Sequence, residues 1–416
     1  MNSTGAERWT AHLMGNYGIP PVTFVRGAGT ELFDDAGNRY LDFLCGLAVT
    51  GLGHSHPRIA AAVADQASTL LHVSNLFVTE PQLEVAERLD RLVRSGTDLD
   101  EPGRVLFQNS GAEANEAALK LGRKFHGRGR HGVVAAFGSF HGRTMATLAA
   151  TGQPEKHEPF QPLPEGFRHA AWNDVAAFEA ALDPSVGAVL VEPLQGEGGV
   201  NTADAGFLRD LRLLCDERGL LMVLDEVQTG LGRTGAWFGF PHAGIRPDIV
   251  TVAKALGNGV PVGAVWATAE VAAAFRPGDH GSTFAGQPLV AAVAREVLRV
   301  MEEGDAPRLA EERGAELTAL LETLPGVAGV RGLGLLLGAE LTPDVLADRT
   351  AVDVARACLD AGLVVNGVTP TTLRLAPPLT VSSDELAEGI GILDDVRTAG
   401  ATGGAAGCGT CSRSTT

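Results

Sequence analysis

A chain of 416 residues is too long for one ordinary core, so two units, or a large unit with a smaller one appended, are expected. A hydrophobic fraction of 45% with 20% charged residues suits a soluble enzyme, and a formal charge of -17 argues against a general binder of nucleic acid or anionic membrane. No stretch offers the roughly 18 unbroken apolar residues of a membrane helix, the N-terminus has no secretory pattern, and five scattered cysteines suggest reduced thiols; a cytoplasmic protein is expected.

Residues 20–45 read as β-rich, with short apolar runs separated by turns such as Asp35-Ala36-Gly37-Asn38. From about residue 57 to 320, helical patterns (IAAAVADQASTLL, QLEVAERLDRLV, NEAALKLGRKF, FLRDLRLLCDERG) alternate with apolar strands (RVLFQ, HGVVAAF, GAVLVEP, LLMVLD, DIVTVA, GAVWAT). Such alternation predicts an α/β fold with a mainly parallel central sheet covered by helices on both faces. A long helical segment over 289–323 is followed by VRGLGLLLGAEL, a helix near 351–361, LVVNGV, LRLAPPL and a last helix near 383–398, which read as a smaller α/β unit. The expected division is an N-terminal segment, 1–56, packing with the small unit; a large unit, 57–288; a small unit, 289–398; and a Gly/Ala/Ser/Thr tail, 399–416, expected to be disordered. That tail holds the C-x-x-C of Cys408 and Cys411, which lacks the further ligands of a zinc site.

In open α/β sheets, ligands sit beyond the carboxyl ends of strands. There LLMVLDEVQTG places two adjacent carboxylates, Asp225 and Glu226, after five apolar residues. Successive side chains in a strand point to opposite faces, and a buried carboxylate needs a partner. Lys254 ends the next strand, in DIVTVAKALGNG, with Gly257 and Gly259 behind it. A plain salt bridge is one reading; a ligand approached closely by glycine backbone is the other.

Other strand ends add to the pair. In QNSGAEANEAALK, Ser110 and Glu113 fit a capping box, while the amides of Ser110, Gly111 and Ala112 suit a phosphate. In FGSFHGRT, Phe140, His141 and Arg143 occupy a glycine-punctuated loop that suits either a surface turn or a flat ligand with a carboxylate. Glu192 and Glu197 follow a strand in VEPLQGEGG, Ser282 and Thr283 lie in GSTFAGQP, and Arg374 stands among apolar residues in LRLAPPL, where it needs an anion. One cofactor joins these pieces. Pyridoxal 5'-phosphate brings an aldehyde for a lysine, a ring nitrogen for Asp225, a flat ring for stacking and a phosphate for a helix N-terminus. GLGRTG (230–235) matches a dinucleotide fingerprint but lacks the strand–turn–helix context, and His54 and His56 lack a third metal ligand.

Taken together, GNYGIPPVTFVRGAGTELFDDAGNRYLDF, NSGAEANEAALK, FHGRTMATLAATG, EPLQGEGG, LDEVQTGLGRTG, AKALGNGVPVGA, HGSTFAGQP and LRLAPPL resemble the class III aminotransferases of the fold-type I pyridoxal phosphate group, in order, over residues 14–398. The nearest likeness within them is to the acetylornithine branch. Ornithine, succinylornithine, 4-aminobutyrate and diaminobutyrate branches are the alternatives. The resemblance implies that Lys254 carries the cofactor and shuttles the proton, Asp225 holds its ring nitrogen, and Gln228 meets its phenolic oxygen. Phe140 would stack on the ring, and Ser110, Gly111 and Ala112 would hold the phosphate, with Thr283 and Ser282 reaching it from the second subunit of a homodimer. Arg143 would bind the carboxylate of an ornithine-type donor and the side-chain carboxylate of glutamate. Arg374 would bind glutamate's α-carboxylate, Glu197 would cover Arg374 in the other half-reaction, and Tyr17 would line the entrance. Ala255, Asn258 and Gln287 depart from the family pattern, in which AKGLGGG and an Asn are usual.

Overall fold

The computed structural model describes residues 5–346 and 348–403. Near its start, strands β1 (Phe24–Ala28), β2 (Glu31–Asp34) and β3 (Arg39–Asp42) form an antiparallel meander. The expected turn at 35–38 is present, closed by Asp34, which accepts from the amides of Ala36 and Asn38 at 3.0 and 2.7 Å.

Seven strands then build the large sheet: β4 (Arg104–Gln108), β5 (Gly132–Ala136), β6 (Phe167–Ala170), β7 (Val186–Val191) and, beyond a ribbon of β8 (Leu194–Gln195) and β9 (Asn201–Thr202), β10 (Leu221–Asp225), β11 (Ile249–Val252) and β12 (Gly263–Ala267). Their order is β4-β12-β11-β10-β7-β5-β6, and only β12 runs against its neighbours. Side chains alternate strictly. Met222 and Leu224 join the core shared with helices Glu80–Ser95 and Ala205–Arg218, while Leu221 and Val223 join the core under helix Gly111–His126. Both faces of the sheet are therefore covered, which is why its strands read as unbroken apolar runs.

Helix Pro288–Glu303 lies against helices Pro57–Thr69 and Glu80–Ser95. The helical run expected over 289–323 breaks at Gly304 and Asp305, whose φ of 51° is incompatible with helix, and resumes as Ala306–Glu322. Next come β13 (Val327–Leu333), β14 (Leu336–Leu341), β15 (Leu363–Val364), β16 (Asn366–Gly367) and β17 (Thr372–Leu375). Four of these form a sheet ordered β13-β14-β17-β16, while β15 joins the N-terminal meander by parallel pairing with β3. The last helix, Ser383–Gly403, runs past the boundary expected at 398. Cys408 and Cys411 lie outside the described residues. Among the described residues no helix is long and apolar enough to cross a membrane.

Candidate active site

Asp225 is the last residue of β10 and only 4% exposed. Its Oδ2 accepts from Asn115 Nδ2 at 2.7 Å and lies 2.8 Å from His141 Nδ1, and its Oδ1 accepts from the amide of Val227 at 3.1 Å. Asn115 is fixed in turn, donating to the carbonyl of His141 at 2.8 Å and accepting from Thr251 Oγ1 at 2.7 Å. No Lys or Arg pairs with Asp225 among the described residues, yet the carboxylate still borders a cavity of about 400 Å³. Glu226 faces the other way, as strand alternation requires. It accepts from the amides of Gly239 and Phe240 at 2.8 and 3.0 Å and from the Thr229 hydroxyl. Burial outweighs these donors and pushes its pKa up to about 7.

Two residues past β11, Lys254 opens a tight turn with φ of 42°, a left-handed conformation that non-glycine residues rarely hold. The turn admits no side chain at Gly257, where a Cβ would lie 1.9 Å from the carbonyl oxygen of Val260. Because β10 and β11 are parallel neighbours, Lys254 and Asp225 border one cavity. Burial, helped by the charge of Arg374, lowers the Lys254 pKa against the opposing pull of Glu197, Asp225 and Glu192.

Ser110 caps the helix Gly111–His126, its Oγ accepting from the Glu113 amide at 3.2 Å. The carboxylate of Glu113 reaches back to the amide of Asn109 at 2.9 Å, one residue before the cap. The first-turn amides of the helix, including those of Gly111 and Ala112, thus border the cavity without intrahelical partners. A Cβ on Gly111 would lie 2.8 Å from Val227 Cγ1, so the helix start and the residues after Asp225 are pressed together. Phe140 is held by its amide, which donates to Glu192 Oε2 at 3.2 Å. Burial, then the nearby charge of Asp225, raises the Glu192 pKa well above the ordinary carboxyl range.

At the other end, Arg374 on β17 is fully buried. Its Nη1 donates to Glu197 Oε1 at 2.5 Å, its Nε donates to Asn366 Oδ1 at 3.2 Å, and its Nη2 has no partner among the described residues. Burial would raise Glu197, but Arg374 and the nearby lysines outweigh it, and its pKa ends below the usual value. Glu197, not Arg374, borders the cavity, so the carboxylate covers the guanidinium.

Ser110, Gly111, Ala112, Phe140, Arg143, Glu197, Asp225, Gln228 and Lys254 therefore meet around one cavity. Ser282 lies behind it, accepting from Asn109 Nδ2 at 2.8 Å, while Thr283 is exposed and Tyr17 is 72% exposed away from it. Asn115 and Val227 were not anticipated as site residues, and Glu192 and His141 were noted without a role. Asn115 had a signal: it is a polar residue among Ala114, Ala117 and Ala118 on the buried helix face. The unusual Asn258 ties the lysine turn to the N-terminal region, accepting from Leu52 N at 2.8 Å and donating to Gly53 O at 3.1 Å. Gln287 accepts from the amides of Val73 and Ser74 at 3.0 and 2.9 Å.

Pyridoxal phosphate suits this donor set. One end has a buried carboxylate without a cation and the other a free helix N-terminus; a lysine opens between them, and Phe140 and Val227 supply flat and apolar surfaces.

The class III aminotransferase profile matches residues 14–396. An acetylornithine aminotransferase from Mycobacterium tuberculosis is 48% identical over 386 residues, 92% of this chain and 94% of that one. An ornithine aminotransferase from Toxoplasma gondii, whose crystals show partial occupancy of PLP at the active site, superposes with a TM-score of 0.87 at 33% identity, covering 94% of this chain and 93% of the other. N-acetylornithine aminotransferase from Stenotrophomonas maltophilia does so with a TM-score of 0.79 at 35% identity, covering 94% and 98%. The chain belongs to the class III aminotransferases, which are pyridoxal phosphate enzymes acting on small amino and oxo acids.

Proposed function

We propose that the protein transfers the ω-amino group of N-acetylornithine to 2-oxoglutarate in a ping-pong cycle. The observation that carries this reading is the pair of guanidinium anchors, Arg143 open at the cavity rim and Arg374 masked by Glu197. Two substrates that alternate in one site, one with a single carboxylate and one with two, call for one permanent anchor and one that can be uncovered. With Glu197 on Arg374, an ω-amine whose carboxylate sits on Arg143 finds the other guanidinium covered. With Glu197 displaced, Arg374 accepts the α-carboxylate of glutamate. The relatives named for acetylornithine support this donor.

When bound, pyridoxal phosphate supplies an electron sink for the pair left behind on proton loss. The chain does the rest. Asp225, oriented by Asn115 and His141, would keep a proton on the ring nitrogen. Lys254 Nζ, its pKa lowered by burial, would take the proton from the carbon bearing the amine and return it to the carbon on the other side of that nitrogen. Gln228 would support the phenolic oxygen, and Phe140 would cover one ring face.

We also propose a homodimer with shared sites. Ser282 and Thr283 lie outside their own chain's cavity, beside exposed Leu76, Phe77, Val78 and Phe284. This apolar surface suits a second copy, whose Ser282 and Thr283 would complete the phosphate site. Buried, unbonded Cys45, Cys215 and Cys358 fit a reducing cytoplasm. We read the chain as a large cofactor-binding unit, 57–288, and a small unit, 289–398, with which the N-terminal segment packs; helix Pro288–Glu303, at their boundary, lies on helices of the large unit.

The test is the visible band of the lysine-bound cofactor as N-acetylornithine, ornithine, succinylornithine, 4-aminobutyrate and glutamate are added separately. Rapid bleaching by N-acetylornithine and by glutamate is expected. Bleaching by glutamate but by no acylated donor would move the substrate elsewhere in the family.

A further inference from the structure

Two cations stand over one aromatic ring, Phe140, and of the two Arg143 lines the cavity. The Arg143 guanidinium carbon is 5.6 Å from the Phe140 ring centre and Lys156 Nζ is 5.7 Å from it. Among the described residues neither forms an ion pair; Lys156 donates only to the neutral amide oxygen of Gln153. The placement is built. Lys156 lies on the one-turn helix Pro154–His157, and the segment before it is stitched to the loop that carries Phe140. Gly152 N donates to Ser139 Oγ at 3.0 Å, Gln153 Nε2 donates to Ser139 O at 2.9 Å, and His141 N donates to Thr151 Oγ1 at 3.0 Å. Phe140 is pinned in turn by Glu192. Burial, then the charge of Arg143, lowers the Lys156 pKa, so the ammonium pays for its position and gains from an anion brought beside it. Two acids act on Lys156: Glu155, its neighbour in the chain, and Glu197, which is engaged by Arg374.

We infer that Lys156 is a specificity-determining residue, the second cation of the subsite in which Arg143 receives the carboxylate remote from the reacting carbon. The inference rests on the two-anchor reading above and extends it. Substrates with a distal carboxylate gain from both cations, whereas simple alkylamines gain from neither.

The experiment uses the holoenzyme and Lys156→Met, Lys156→Arg and Arg143→Met. The probe is glutarate, an unreactive dicarboxylate, with its Kd measured by calorimetry. Steady-state KM and kcat for N-acetylornithine and 2-oxoglutarate are measured alongside, with butylamine as a donor lacking a carboxylate. For Lys156→Met the glutarate Kd and both KM values are expected to rise about five- to tenfold, the scale of a partly exposed charge-assisted contact. Its kcat and its butylamine rate should stay within about twofold, and Lys156→Arg should restore binding. Unchanged glutarate binding in Lys156→Met, with weakened binding in Arg143→Met, overturns the role of Lys156 and leaves the anchor reading standing. Unchanged binding in Arg143→Met overturns the anchor reading itself. A fall in kcat alone, or equal loss with butylamine, assigns Lys156 to scaffolding and also overturns the inference. Should Lys156→Met not fold, Lys156→Gln carries the same comparison, because it keeps polarity and loses charge.

Discussion

The inner and outer ends of the cavity are built on opposite plans. At the inner end, Asp225, Asn115, His141 and Thr251 form a buried network in which both the nitrogen and the oxygen of the Asn115 amide are engaged. At the outer end, Arg143 is exposed, Lys156 has only an amide for a partner, and Arg374 keeps one nitrogen without any. A network with few degrees of freedom holds a cofactor that never leaves; underused cations wait for substrates that alternate. Reaction chemistry thus belongs to the rigid end and substrate choice to the loosely tied one.

Substitutions should separate the two ends. Lys254→Ala should reduce turnover by about 10⁴-fold, the upper range for losing a positioned base, and remove the visible band of the lysine-bound cofactor. Full turnover without Lys254 would end the scheme. Asp225→Asn should lower kcat about 10²–10³-fold in both half-reactions alike, because a preorganised charge is lost at the step they share. Loss confined to one half would place Asp225 with the substrate instead. Arg374→Ala should act at the outer end only, slowing the glutamate half-reaction about 10²-fold in single-turnover experiments while sparing the N-acetylornithine half, since a buried anchor for one carboxylate is worth a few kcal/mol. Equal losses in the two halves would contradict a masked second anchor.

What the sequence disclosed follows the same divide. The apolar runs of β7, β10 and β11 predicted a buried, mainly parallel sheet, and strand ends alone brought Asp225 and Lys254 to one crevice. The reversed β12 was not legible, because an apolar run carries no direction. β6, with the sequence FRHA, shows no apolar period. Asn115 was missed and Glu192 had no role assigned because their importance lies in pairings across 110 and 52 residues of chain, with Asp225 and Phe140 respectively, and spacing encodes neither. Thr283 and Tyr17 could be placed on this cavity only by resemblance, and a single chain leaves both outside it.

The smallest expected effect comes from the residue beside Asp225. Glu226 is as buried as its neighbour, but every acceptor contact it makes is to its own segment: Thr229, Gly239 and Phe240. Glu226→Gln should leave kcat within about twofold and cost about 1–3 kcal/mol of stability, the price of one mismatched buried polar group. Its pH signature differs from that of a salt bridge. Burial pushes the folded carboxyl up to about 7 from an ordinary value of 4.5, so between those values the folded state holds a proton that the unfolded chain has lost. Stability should therefore decline as pH rises through that window, and Glu226→Gln should flatten the decline. Thermal melts of both proteins from pH 4.5 to 8 measure the difference. Parallel curves would mean that the amides of Gly239 and Phe240 hold Glu226 ionised throughout, and that its hydrogen bonds outweigh its burial.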